Sequence, residues 1–250
     1  MTVNALYAAL DARIPEALRA AWDNDGKLCV PQGERELTKV LFCLDVTDGV
    51  VARAKETGAE LIISHHPLIF SPLSSLTEEG AVASRVLSLV KAGVAVFSFH
   101  TRFDAVAGGI NDGLCDLLSL SDATPFGEGG LGRVGTLPEA MTAKALCALV
   151  KEALGAPVLS VADAGKPIRR VAVVGGEGKD EIGAAIATGA DAYLSGRLGY
   201  HAMQDCPITL IEAGHYYTER HAGKLLADLV KEICPALGCE IYTPNPIALY

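Results

Sequence analysis

Apolar residues fall along this chain in short unbroken runs, separated by stretches with helical spacing. Lys39 to Val46 reads as a continuous apolar strand and Arg170 to Val174 as another. Each leads through a short polar turn into a helical stretch that ends in a Gly-Ala-acid signature, Gly58-Ala59-Glu60 in one case and Gly189-Ala190-Asp191 in the other. A second strand follows each signature, Leu61 to Ser64 and Ala192 to Ser195, and the correspondence runs without a gap at an offset of 131 residues. The first copy then carries an extra stretch. A third strand comes next, Val94 to Phe99 in one copy and Ile208 to Ile211 in the other. Self-similarity of this kind, with strands alternating with helices, predicts an α/β protein of two related units, an internal duplication with mixed, largely parallel sheets.

Helical periodicity marks three further segments. Met1 to Ala21 places Asp11, Arg13, Glu16 and Arg19 at helical spacing, which reads as a surface helix and not as an uncharged leader core. Thr142 to Leu154 carries Leu146, Leu149, Val150 and Ala153 on one face, and the segment after His215 carries Leu225, Leu226, Leu229, Val230 and Ile233. Gly132 to Leu137 is placed as an opening strand of the second unit, with Asp23 to Val30 as the corresponding loop of the first. The expected division puts residues 1–122 plus about 202–250 in a metal-site unit and about 123–201 in a second unit intertwined with it.

With half of its 250 residues apolar and one fifth charged, the chain has enough apolar material for a sizeable core. Its net charge of −9 opposes binding to a nucleic-acid backbone. No run approaches the ~20 apolar residues of a membrane-spanning helix. Seven scattered cysteines, an odd number without a Cys-x-x-Cys pair, read as reduced thiols, so a cytoplasmic location is expected.

Candidate chemistry gathers at the strand ends, where open α/β sheets bind ligands. The third strands lead into His100-Thr-Arg-Phe-Asp104 and His215-Tyr-Tyr-Thr-Glu219, and His65-His66 precedes Pro67 at the end of a second strand. Imidazole and carboxylate together suit zinc, iron, manganese or nickel, and a set this rich can hold more than one divalent ion. Neighbouring histidines serve one site only where the backbone turns, a condition that Pro67 favours; otherwise one of them packs or caps. His215 and Glu219 share a helical face if the first turn is already formed, and Glu219 is then a bridging candidate or simply a carboxylate at the positive end of a helix. The first tetrad is expected to be a loop, with the helix beginning near Ile110. Asp104 is its ligand candidate, and His100 a nearby acid/base. His201 either lines the cleft or lies on the surface, and His221 is expected on an exposed helical face. Gly175-Gly176-Glu177-Gly178 is only a weak phosphate-loop match, since the Gly-Lys-Ser/Thr ending is missing.

Trp22-Asp23-Asn24-Asp25-Gly26, Leu61 to Phe70 with its histidine pair, His100-Thr101 and Asp104 with Gly108 to Asp112, and Gly214-His215-Tyr216 with Thr218-Glu219 together resemble the NIF3-like family, whose members also carry the name GTP cyclohydrolase 1 type 2 homolog. The resemblance covers nearly the whole chain. It implies a duplicated, intertwined α/β fold, a toroidal homohexamer and two divalent metal ions per subunit. His66 and Asp104 would hold one ion, His65 and His215 the other, and Glu219 both. Arg102-Phe103 stands where Asn-Leu is frequent and Arg197 where an acidic residue often follows the glycine; an Arg at the cleft would change the anion preferred. The function implied is metal-dependent hydrolysis of a nucleotide or phosphoester, a small anionic substrate. The alternative is a non-catalytic metal-binding ring that acts as scaffold, metal chaperone or regulator.

Overall fold

A computed structural model describes residues 1–245, 247 and 248, which form two compact units. Unit 1 comprises Met1–Phe103 and Ala222–Tyr250, and unit 2 is the intervening Asp104–His221. The sequence reading had divided the chain near residues 122 and 202. Two packings set these limits: residues 110–117 pack on the second sheet, and the strand of residues 209–212 pairs within it.

Unit 1 is built on five strands in the order β1-β4-β3-β2-β11: β1 (Gly26–Cys29), β2 (Lys39–Cys43), β3 (Leu61–Ser64), β4 (Ala95–Ser98) and β11 (Gly238–Ile241). β2, β3, β4 and β11 run parallel, and β1 joins antiparallel to β4, so the expected loop of residues 23–30 contains an edge strand. Side chains alternate across a sheet, and both faces here are covered. Leu41, Cys43, Ile62 and Val96 pack with Val50, Val51 and Ala54 of α2 (Asp48–Thr57) and with Val86 and Leu89 of α3 (Ala81–Ala92). On the other side lies α9 (Ala222–Ile233), which packs on β2 and on α1 (Val3–Arg13). The amino-terminal helix is shorter than its periodicity suggests. Pro15 disfavours helical geometry at Ile14, whose φ of −123° and ψ of 77° end α1, and a 3-10 turn at Glu16–Leu18 follows.

Unit 2 holds six strands in the order β5-β6-β8-β9-β10-β7: β5 (Ser121–Phe126), β6 (Gly132–Met141), β7 (Ser160–Ala162), β8 (Ile168–Glu177), β9 (Ala192–Arg197) and β10 (Thr209–Glu212). β8, β9 and β10 are parallel and the remaining pairings antiparallel, which makes both sheets mixed. Val171, Val173, Ala192, Leu194 and Ile211 pack with Leu146, Val150 and Leu154 of α6 (Ala143–Leu154) and with Leu114 and Cys115 of α5 (Ile110–Leu117). Ala172, Val174, Tyr193 and Leu210 form the opposite face with Ala185 of α7 (Ile182–Ala187).

The two halves repeat at the level of individual pairings. Val40 pairs with Leu61 in β2/β3, and Val171 with Ala192 in β8/β9, the same register at the offset of 131. The Gly-Ala-acid signature has one physical role in both places. Gly58 and Gly189 take the left-handed conformation at helix ends, with φ of 72° and 76°. The carboxylate that follows then accepts hydrogen bonds from the amides that open the first strand. Glu60 receives them from Thr38 and Lys39, and Asp191 from Arg169 and Arg170. Hydrogen bonds to the charged form hold the Glu60 carboxyl below its ordinary range, although burial works the other way. Replacing Glu60 with Ala strands two amides and is expected to cost about 1 to 3 kcal/mol in urea unfolding at neutral pH, and progressively less in acid, as pH falls below the unfolded-state value and through the lowered folded one.

Candidate metal centre

β2, β3 and β4 end level with one another, since Cys43 pairs with Ser64 and Ser64 with Ser98. The residues that follow therefore leave the sheet at one edge. In unit 1 this brings His65, His66 and His100 together, with one ring nitrogen of each within 4.8 Å of the others. His65 is fully buried and the other two are partly so.

Each ring is fixed through Nδ1. His65 Nδ1 lies 2.9 Å from the Phe99 carbonyl, His66 Nδ1 2.7 Å from Asp45 Oδ1, and His100 Nδ1 2.9 Å from Asp23 Oδ1. A carbonyl only accepts, so His65 carries its proton on Nδ1, and Nε2 is the nitrogen it offers a cation; the carboxylates favour the same tautomer for the other two. Such outer partners orient histidine ligands and raise their basicity. Asp23 and Asp45 thus orient rings of the candidate site, a position the sequence alone does not assign them, although Asp23 sits inside the Trp22 to Gly26 motif.

The tetrad beginning at His100 is not a loop. Thr101–Ala105 forms the short helix α4, and its start is capped from elsewhere in the chain. Asp25 accepts from the His100 amide, and Asp23 accepts from the amide and hydroxyl of Thr101. Two orphan amides are thereby satisfied by a segment some 75 residues away, a cap that local sequence cannot announce. Burial opposes the Asp23 charge, but hydrogen bonds from His100 and Thr101 outweigh it and hold the carboxyl at about 2. Asp25 is pushed the other way, up from its ordinary value, chiefly by burial.

Arg102 has a structural role. Fully buried, it binds Asp25, Asp11, the Ile14 carbonyl and the Tyr7 hydroxyl, and lies 4.7 Å over the Phe99 ring. Its guanidinium is engaged inside unit 1. Arg197, at the end of β9, is exposed.

In unit 2, Asp104 is buried in α4, and its carbonyl accepts from Asn111. The helix α8 (His215–Glu219) sets His215 Nε2 2.9 Å from Glu219 Oε2, the shared face expected of residues four apart. Glycines make room for that pair. Gly176 has φ +64°, and a Cβ there would collide with Glu219 Oε1 and approach His215 Nε2 to 3.2 Å. A Cβ on Gly196 would lie 2.7 Å from the His215 Cα. The Gly175–Gly178 run is therefore no phosphate cradle: the Gly175 amide donates to Asn111 and the Gly176 amide to Thr218. It lets β8 pass close beneath a carboxylate.

The helix does not continue unbroken beyond Glu219. Arg220 and His221 form a turn before α9, and His221 is half-buried, with Nε2 3.0 Å from the Ile110 carbonyl. Burial lowers its pKa, so it is not the exposed helical residue expected. His201 opens an exposed 3-10 turn beside Tyr200. All seven cysteines are free, and burial pushes the Cys43 thiol far up, away from nucleophilic use.

Two mixed α/β units, one with three converging imidazoles and the other with a His–Glu pair, define an α/β protein with groups suited to a divalent metal. The chain belongs to the Duf34/NIF3 (NGG1p interacting factor 3) family, whose profile matches residues 1–246. It is 35% identical over 242 residues to a Clostridium perfringens protein named GTP cyclohydrolase 1 type 2 homolog, covering 93% of this chain and 92% of that one. A Lactococcus lactis protein of the same name is 37% identical over 236 residues, covering 91% and 90%. The crystal structure of a Bacillus cereus protein related to NIF3 superposes with a TM-score of 0.88 at 21% identity, over 100% of this chain and 99% of that one, and so shares the fold. Among the described residues no helix is long and apolar enough to cross a membrane.

Two outcomes follow from this geometry. Gly189→Ala meets no neighbouring atom and incurs only the left-handed backbone cost, about 1 to 2 kcal/mol, whereas Gly176→Ala must also displace Glu219 and is expected to lose more in chemical denaturation. Asp23, with a carboxyl depressed in the folded state, contributes stability that is present above the unfolded value near 3.9 and is lost as pH falls through about 2. The stability difference between wild type and Asp23→Ala should therefore be flat from about pH 7 to 5, include about 2 kcal/mol from this linkage, and shrink in acid. A difference independent of pH down to 3 would remove the charge from the account.

Proposed function

We propose that this chain is a metal-dependent hydrolase that holds two divalent ions through His65, His66, Asp104, His215 and Glu219 and acts on a nucleotide or phosphoester, in a reaction akin to that in the name GTP cyclohydrolase 1 type 2 homolog. The observation that carries the reading is the set of three histidines gathered in unit 1, each with its ring oriented at Nδ1 by an acceptor, His65 and His66 as ligands and His100 beside them. The donor set fits the ions. Imidazole and carboxylate suit zinc, iron, manganese or nickel, and the space left by Gly176 seats a carboxylate that could serve two ions.

When bound, such ions supply Lewis acidity and acidify water near neutral pH. The chain's own contribution is position and proton transfer. Asp45 orients the His66 ring, the Phe99 carbonyl orients His65, and Asp23 orients His100. In the proposal His100 is an acid/base and not a ligand, taking or giving a proton at Nε2 while Asp23 steadies the imidazolium. Assembly as a toroidal homohexamer in the cytoplasm, with a small anionic substrate, completes the reading. Net charge disfavours nucleic acid as that substrate.

Elemental analysis of the protein as purified, followed by a screen of nucleotides and phosphoesters with occupancy verified, tests this. Two ions per chain are expected, Glu219→Ala should lower metal content and abolish turnover, and His100→Ala should retain metal while slowing turnover by about 10²-fold or more. A protein that takes up no divalent ion sinks the site. Full occupancy with no turnover across the screen favours the scaffold or chaperone role.

A further inference from the structure

Five of the six phenylalanines are buried, and the sixth, Phe70, is 52% exposed. The single tryptophan, Trp22, is 66% exposed. These two rings are neighbours, with centroids 6.1 Å apart, and both meet the same imidazole: Trp22 lies 6.0 Å from His100 and Phe70 6.4 Å from it, each edge to face. Two large apolar rings left more than half exposed forgo part of the burial that stabilises aromatic side chains, so their meeting at the histidine cluster calls for an occupant.

Their loops are held firmly. Asn24 Nδ2 donates to the Ile69 carbonyl at 2.6 Å, which ties the residues beside Trp22 to those beside Phe70. On one side of Trp22 the Ala20 amide donates to the Thr101 hydroxyl, and on the other Asp23 is fixed by His100 and Thr101. Asp23, which orients His100, thus adjoins Trp22, and its neighbour Asn24 ties that segment to the one before Phe70, an arrangement that lowers the ordering cost of binding.

The geometry points to Trp22 and Phe70 as a stacking subsite for a planar nitrogen heterocycle, which delivers that ring or its substituent to the histidine cluster. A flat π-system matches the two rings, and ring nitrogens or exocyclic polar groups match the adjacent imidazoles. The inference names the substrate class of the proposed hydrolase and rests on that reading only for what happens after binding.

Because Trp22 is the sole tryptophan, its emission reports the subsite directly. The full chain, as purified and again after chelation, is titrated with guanosine 5′-monophosphate, nicotinamide mononucleotide and, as a ring-free control, ribose 5-phosphate. Saturable quenching by at least one ring compound and none by the control is expected. Phe70→Leu should weaken that Kd by about tenfold or more, and Phe70→Tyr should restore it. Quenching by neither ring compound, equal binding of ribose 5-phosphate, or a Phe70→Leu protein of unchanged affinity overturns the subsite. So does a Trp22 emission that changes only with protein concentration, which would assign the rings to a contact between copies. Quenching that survives chelation in a protein without turnover keeps the subsite and rejects the hydrolase; turnover with KM unchanged in Phe70→Leu does the reverse.

Discussion

Level termination of three parallel strands is the constraint on which the candidate site of unit 1 depends. Parallel register sets Cys43, Ser64 and Ser98 side by side, and the chain can only leave the sheet at that common edge. Asp45, His65, His66 and His100 are the residues that come next. Their convergence needs no separate device, because residues remote in sequence follow strand ends that backbone hydrogen bonds hold about 5 Å apart. The constraint originates a whole strand length away, where Glu60 ties the amides of Thr38 and Lys39.

The same register reveals how the duplication has diverged. Leu61 pairs with Ala95 and Ala192 with Thr209, so the third strands correspond at an offset of 114, while the tetrads starting at His100 and His215 are 115 residues apart. Their equal spacing conceals a slip of one residue. His100 corresponds to Gly214 and precedes its helix, whereas His215 opens a helix and Glu219 closes it. That slip separates a histidine that precedes its helix in one copy from an imidazole and carboxylate pair that spans a helix in the other. Where copy one has His65, copy two has Gly196, and the close approach of the His215 Cα explains why no side chain fits there.

Much of this was legible beforehand because it is local. Apolar runs bounded by glycine mark parallel strands, and the repeated Gly-Ala-acid signature marks corresponding points of two units. The β3 limits match the run from Leu61 to Ser64. Less legible were features that depend on remote partners. α4 forms because Asp23 and Asp25 cap it from an earlier loop, β1 forms against β4, and His221 is held against the Ile110 carbonyl.

The sequence by itself determined the α/β class, the repeat, the family and the residues rich enough in imidazole and carboxylate to attract a metal. Each of these resides in residue type and spacing, which chain order preserves. Only the tertiary structure decided which nitrogen each histidine offers, that Arg102 is enclosed by Asp11, Asp25 and the Phe99 ring, and that Trp22 and Phe70 meet at His100. Tautomer, burial and ring contact are properties of a residue's neighbours in space, and most of those neighbours lie about 20 to 90 residues away along the chain.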